Sequence, residues 1–201
     1  MKIFCVGRNY SEHAKELGNA VPENPVIFSK PDTALLKNGE PFYLPEFSND
    51  VHHEAELVIK ISKMGKKIQE KFASNYYAEI GFGIDFTARD IQAQLKTKGL
   101  PWELAKAFDG SAPIGDFIKK EELSSTIKFH LLKNGETVQL GSSDDMIFNM
   151  NQIVSFVSQY FTLKVGDLIY TGTPAGVGPV KIGDVLEGFI EGKKLLHCEI
   201  K

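Results

Sequence analysis

Cysteine is almost missing from this chain: Cys5 and Cys198 are the whole complement. Two residues cannot build a disulfide framework, and their count reads as free thiols in a reducing cytosol. Long hydrophobic runs are missing too, with nothing near the ~18 apolar residues that a spanning helix needs. The start has only five residues between Lys2 and Arg8, too few for a signal-peptide core. It also lacks the Arg-rich, acid-poor character of a transit peptide. The expectation is a cytoplasmic protein without a membrane partner. An excess of one charge is absent: 23 Lys and Arg stand against 26 Asp and Glu, a net charge of −3. No basic footprint for a nucleic acid shows in that total. Internal repeats and low-complexity tracts are absent as well.

What is present is an ordinary globular composition. Hydrophobic residues make up 42% and charged residues 24% of 201 positions, so wholesale disorder is excluded. A chain of this length buries ~70% of its unfolded surface and needs no staple. The reading is a single domain spanning 1–201. Strands are expected at Lys2–Val6, Val26–Phe28, Ala55–Ser62, Ala78–Phe86 and Asp167–Tyr170. Hairpins are expected across Asn134-Gly135 and across Glu191-Gly192-Lys193. Helices are expected at Ser11–Leu17, Gln69–Tyr77, Thr87–Lys98 and Asn149–Phe161. Strands outnumber helices and clean βαβ units are few, which predicts an α+β, mainly β fold with a closed or rolled sheet. Gly81 and Gly83 inside a core strand point to a bulge or a close backbone approach.

The chemistry concentrates in carboxylates. In His52-His53-Glu54-Ala55-Glu56, the two acids are two apart and leave one face of a strand. They are either a solvated edge or a cation site, and the apolar Leu57-Val58-Ile59 that follows carries the strand into the core. Asp85 ends the apolar Gly81-Phe82-Gly83-Ile84. A buried, unpaired carboxylate costs several kcal/mol, so it calls for a cation, unless Asp85 or Thr87 caps the helix beginning near Ala88. Convergence of Glu54, Glu56 and Asp85 would make an all-oxygen site suited to Mg²⁺, Mn²⁺ or Ca²⁺. His52 and His53 beside it read as supporting or structural residues more readily than as ligands.

Three further features stand out. His13 and Glu16, three apart, share a helix face. They are either a surface pair or a base whose imidazole a carboxylate orients; Glu12 also flanks His13, and spacing does not choose the partner uniquely. Lys106 lies in the apolar run Leu104-Ala105-Lys106-Ala107-Phe108, where it either snorkels or faces a buried acid. Thr171-Gly172-Thr173-Pro174-Ala175-Gly176-Val177-Gly178-Pro179 lacks the Gly-Lys-Ser/Thr of a Walker loop. It reads as a rigid loop offering hydroxyls and amides to a small anion.

In order along the chain, Gly7-Arg8-Asn9-Tyr10, His52 to Leu57, Asp85 to Gln92, Leu100-Pro101-Trp102 with Ala105-Lys106, and Thr171-Gly172-Thr173-Pro174 together resemble the fumarylacetoacetate hydrolase family. The likeness is to its small acylpyruvate hydrolases and oxaloacetate decarboxylases, and it covers nearly the whole chain. It implies a mixed β-sandwich roll of the fumarylacetoacetate hydrolase C-terminal-domain type, assembled as a homodimer. It implies Mg²⁺ or Mn²⁺ on Glu54, Glu56 and Asp85, and catalytic roles for His13, Glu16 and Lys106. It places substrate contacts on Arg89, Gln92, Thr173, Arg8 and Tyr10. Ala107 stands where many relatives have Ser, and the extra N-terminal domain of the larger enzymes is lacking.

The implied substrate is a small 2-oxo acid. The leading expectation is hydrolysis of the C–C bond of acylpyruvates, with His13 activating water and the metal stabilising the enolate that departs. The same groups suit oxaloacetate decarboxylation, or tautomerisation and isomerisation of 2-oxo diacids. A non-catalytic protein using the cation structurally is the reading from another class.

Overall fold

The computed structural model describes residues 1–11 and 22–201. The expected helix at Ser11–Leu17, with His13 and Glu16, lies outside the described residues except for Ser11. The first half of the chain forms β1 (Ile3–Gly7), β2 (Val26–Lys30), β3 (Leu35–Lys37), β4 (Val51–His53), β5 (Ala55–Ile61), α1 (Glu70–Ala73), β6 (Tyr77–Ile84) and β7 (Thr87–Ala88). Two helices follow, α2 (Arg89–Lys98) and α3 (Glu103–Lys106). Then come β8 (Ala112–Lys119), β9 (Lys128–Lys133), β10 (Glu136–Ser142), α4 (Met150–Tyr160), β11 (Leu168–Tyr170), β12 (Gly178–Pro179), β13 (Val185–Ile190) and β14 (Lys193–Glu199).

Among the described residues these make a mixed α+β, strand-rich architecture of three sheets. The largest has seven strands in the order β2-β1-β11-β5-β6-β8-β3. β1 runs parallel to β11 and β3 to β8, while the other pairs in that sheet are antiparallel. β10-β9-β13-β14 form a second sheet, and β12-β4-β7 a small third one. β5 sits at the centre of the large sheet, and every residue in it except Lys60 is buried. A strand covered on both faces reads as the near-continuous apolar run seen at Leu57-Val58-Ile59. The core between the two larger sheets is aromatic and aliphatic: Phe82 and Phe129 meet edge-on at 6.2 Å, beside buried Leu131, Leu186 and Leu196.

Local sequence explains the best-formed turns. Asn134 and Gly135 have φ of 56° and 83°, the left-handed pair that a two-residue hairpin needs. Asn149 caps α4, and Gln152 returns the hydrogen bond in a capping box. α2 ends at Gly99 in the left-handed conformation. The expected close approach at Gly83 is real: a Cβ there would lie 2.5 Å from the Tyr170 ring, and the ladder shifts register between Gly81 and Gly83.

Several boundaries differ from expectation. The helix expected at Gln69–Tyr77 is one turn of α1 followed by a 3-10 turn at Ser74–Tyr76, because Tyr77 is already recruited into β6. The helix expected from Thr87 starts at Arg89, since Thr87 and Ala88 pair with His52 and Val51 of β4. β3, β8 and α3 are additions to the sequence reading. No helix among the described residues is long and apolar enough to cross a membrane.

Candidate functional site

The junction of β4 and β5 and the end of β6 create the centre of the site. Glu56 pairs in register with Gly83, and the Asp85 amide donates to the Glu54 carbonyl at 2.8 Å. The ladder therefore brings Glu54, Glu56 and Asp85 side by side, with one oxygen of each within 4.8 Å of the others. All three are buried, which excludes the solvated-edge reading. The capping alternative for Asp85 is excluded as well: the N-cap of α2 is Ala88, without a side-chain cap.

Cations surround two of the three acids. Lys106, on α3, reaches Glu54 at 2.8 Å and Asp85 at 2.7 Å, so it faces buried acids and does not snorkel. Burial alone would lower the Lys106 pKa, but Asp85 and Glu54 reverse this and raise it. Arg89, the first residue of α2, holds Glu54 at 2.5 Å and donates to Gln92 one turn on at 2.8 Å. Lys30, at the end of β2, holds Asp85 at 2.7 Å and also donates to the Ser111 carbonyl and hydroxyl.

Glu56 differs from the other two. Among the described residues it has no ion pair, and its Oε2 accepts only the Gly172 amide, at 2.6 Å. Burial raises its pKa well above the ordinary value, and the charges of Asp85 and Glu54 raise it further. A hard, all-oxygen donor set crowded enough to favour protonation fits a divalent cation, which would relieve both the crowding and the desolvation.

Gly7, Arg8, Glu54, Glu56, Asp85, Arg89, Gln92, Lys96, Trp102, Lys106 and Thr173 line one cavity, together with Val6 and Phe28. Eight of the expected site residues are thus in one place: Glu54, Glu56, Asp85, Lys106, Arg89, Gln92, Thr173 and Arg8. Tyr10 stands apart from these eight: its ring is buried in the core edge-on to Phe129, and it is not among the residues that line the cavity. His13 and Glu16 lie outside the described residues.

The glycine loop folds onto this centre. Gly172 adopts φ +100° and has Asn9 Cβ within 2.7 Å of where its own Cβ would be. Asn9 clamps the loop from the other side, donating to the Thr171 carbonyl at 2.7 Å and the Phe148 carbonyl at 3.0 Å. The histidines are supporting residues: His52 pairs with Asp50, and His53 Nδ1 lies 3.0 Å from Gln139 Oε1. Burial lowers the His53 pKa to about 4, so it is neutral at pH 7.

Lys30, Lys96 and Gln139 escaped the sequence reading. Lys30 carried the same signal as Lys106, a lone lysine closing an apolar strand. Lys96 continues the face of Arg89 and Gln92 along α2. Gln139 had no local signal, because it acts from a β-bulge of another sheet.

The whole chain matches a family model: residues 2–200 fit "Fumarylacetoacetate (FAA) hydrolase C-terminal". The chain belongs to the fumarylacetoacetate hydrolase family. Family relatives include the human protein named oxaloacetate tautomerase FAHD1, mitochondrial, 44% identical over 94% of this chain and 87% of that one. The Escherichia coli protein named oxaloacetate tautomerase YcgM is 42% identical over 96% and 90%. Among solved family structures, fumarylpyruvate hydrolase from Pseudomonas aeruginosa, in complex with Mn²⁺ and pyruvate, superposes with a TM-score of 0.93. It is 36% identical and the match covers 100% of this chain and 89% of that one.

Proposed function

We propose that this protein is a Mg²⁺- or Mn²⁺-dependent enzyme of small 2-oxo acids, and that its reaction is the keto–enol tautomerisation of oxaloacetate. The observation that carries the reading is the buried Glu54–Glu56–Asp85 cluster, with Glu56 lacking a cation among the described residues, in a chain so similar over its length to proteins named oxaloacetate tautomerase. Glu54, Glu56 and Asp85 would hold the ion. A divalent ion supplies Lewis acidity to a 2-oxo carboxylate and so acidifies its C3 protons.

The chain's own residues do the rest. Lys106, held as an ammonium by Asp85 and Glu54, offsets negative charge that develops on the substrate. Arg89 is fixed at one end by Glu54 and Gln92, and its buried Nε–H has no protein acceptor among the described residues. That donor supports Arg89 as the contact to a substrate carboxylate, with Thr173 as a hydroxyl contact. By the family resemblance, His13, with Glu16 as its partner, would remove the C3 proton of the keto form, and the enolate would take a proton from solvent on its C2 oxygen to give the enol; the reverse steps would return a proton to C3.

A second reading is acylpyruvate hydrolysis, favoured by the likeness to the Pseudomonas fumarylpyruvate hydrolase. There His13 would take a proton from water instead. Decarboxylation of oxaloacetate would use the same contacts without water. The reading also carries a single catalytic domain, a homodimer and a cytoplasmic location. Side-by-side assays with Mg²⁺ test it: decay of enol oxaloacetate, release of CO₂, and cleavage of acetylpyruvate. Acceleration of ketonisation well above the other two is expected. Faster acetylpyruvate cleavage with no effect on enol decay would overturn the tautomerase reading in favour of the hydrolase.

A further inference from the structure

We propose that Gln139 is a positioning residue that aims the hydroxyl proton of Thr173 at the bound substrate. The inference rests on the reading of Thr173 as a substrate contact. Gln139 lies on β10, at the register shift between Thr137 and Gln139, and only 2% of it is exposed. It makes four hydrogen bonds to two separate segments, residues 53–55 and residues 173–174. Its Oε1 accepts from the Ala55 amide at 3.0 Å and lies 3.0 Å from His53 Nδ1. Its Nε2 donates to the Pro174 carbonyl at 3.0 Å and to Thr173 Oγ1 at 2.9 Å.

The polarity of this network has one solution. The Ala55 amide can only donate and the Pro174 carbonyl can only accept, so the Gln139 amide cannot be flipped. Nε2 therefore gives a proton to Thr173 Oγ1, and the threonine hydroxyl keeps its own. Among the described residues no protein acceptor takes that proton. Thr173 lines the same cavity as Glu54, Asp85, Arg89 and Lys106, so the free O–H is left for an oxygen of a ligand there. With Oε1 fixed as the acceptor, the His53 Nδ1 that faces it is the donor, giving Oε1 two donors.

This is a role that packing alone would not require. In Q139E a carboxylate can still accept from Ala55 and His53 but can donate to nothing. The Thr173 hydroxyl would then turn to donate to the new carboxylate, and its proton would leave the cavity. T173V removes the hydroxyl directly.

The test is a double-mutant cycle on the full chain loaded with Mg²⁺. Oxalate affinity is read by calorimetry, and kcat and KM for oxaloacetate are read beside it. T173V and Q139E should each weaken oxalate binding and kcat/KM by ~10-fold or more, the scale of one hydrogen bond to a charged group. Q139E should add almost nothing in the T173V background. Effects that multiply would overturn the proposal, because Gln139 would then act by a route other than Thr173. If Q139E does not fold, Q139M makes the same comparison, and its cost must again vanish with T173V. Oxalate binding needs no turnover, so the two failures separate. A wild-type protein that couples Gln139 to Thr173 in oxalate affinity but turns over no 2-oxo acid sinks the functional reading alone. A wild type that tautomerises oxaloacetate while the two effects multiply sinks this inference alone.

Discussion

Lys30 Nζ lies 2.7 Å from Asp85 Oδ1, with both side chains fully buried. Asp85 is thus bridged by two lysines from different parts of the chain, Lys30 on one oxygen and Lys106 on the other. Breaking a buried pair from one side strands the other charge, at about 3–5 kcal/mol. K30M should therefore lose about 3 kcal/mol in urea unfolding, with Lys106 retaining part of the compensation. A loss below about 1 kcal/mol would show that the pair contributes no more than an exposed one.

Glu56 separates metal binding from folding. In E56Q the like charge beside Asp85 and Glu54 is gone, so the metal-free protein should be at least as stable as wild type. Mg²⁺ at 100 times its Kd stabilises a binding protein by about 2.7 kcal/mol. The corresponding rise in melting temperature is expected for wild type and should vanish in E56Q. Full enzymatic activity in excess EDTA would contradict the metal-dependent reading.

Lys106→Met should reduce kcat for oxaloacetate by ~10²–10³, the usual loss when one preorganised positive donor is removed from a site. Steady-state kinetics and an unfolding curve should be measured together. A fall confined to KM would assign Lys106 to ground-state binding only.

Gly172→Ala is expected to disturb the glycine loop. The position needs φ +100°, and an added Cβ would meet Asn9 Cβ at 2.7 Å and the Val6 carbonyl at 3.1 Å. Strain of this kind costs of order 1–3 kcal/mol. The Gly172 amide on Glu56 would shift with it, so oxalate affinity should fall along with stability. Unchanged calorimetric binding would show that the loop tolerates the displacement.

Asp167 supplies a pH signature away from the site. Burial would raise its pKa, but the Lys2 ammonium and the amides of Lys164 and Lys2 hold it below the ordinary 3.8. A depressed carboxylate contributes stability above its unfolded pKa and loses it as pH falls through the folded value. The wild-type advantage over D167N should therefore be constant near neutrality, about 1–2 kcal/mol. It should shrink as pH drops below 3.8. An advantage that grows on acidification, followed by unfolding at each pH, would contradict this assignment.

The sequence made legible what short-range chemistry determines. The Asn134-Gly135 hairpin, the helix from Asn149 and the apolar β5 follow from left-handed turns, caps and burial that neighbouring residues dictate. β8 was hidden because Pro113 and Gly115 interrupt its pattern, and its place comes from pairing with β6 and β3. Glu54, Glu56, Asp85 and Lys106 were readable as charges out of place in apolar runs. Gln139 was not, because its partners Ala55 and Thr173 lie far along the chain and only the packed sheets bring them within reach.

The pairing of Glu56 with Gly83, and of the Asp85 amide with the Glu54 carbonyl, has a consequence for folding. Because strand side chains alternate, a one-residue slip between β5 and β6 would turn the acids of one strand away from those of the other. A misaligned chain could bury much of the same apolar surface and still hold no cation. On the proposed metal-dependent reading, cation affinity would double as a proofreading signal: only correctly aligned molecules would gain the ion's binding energy, which would draw the population toward them.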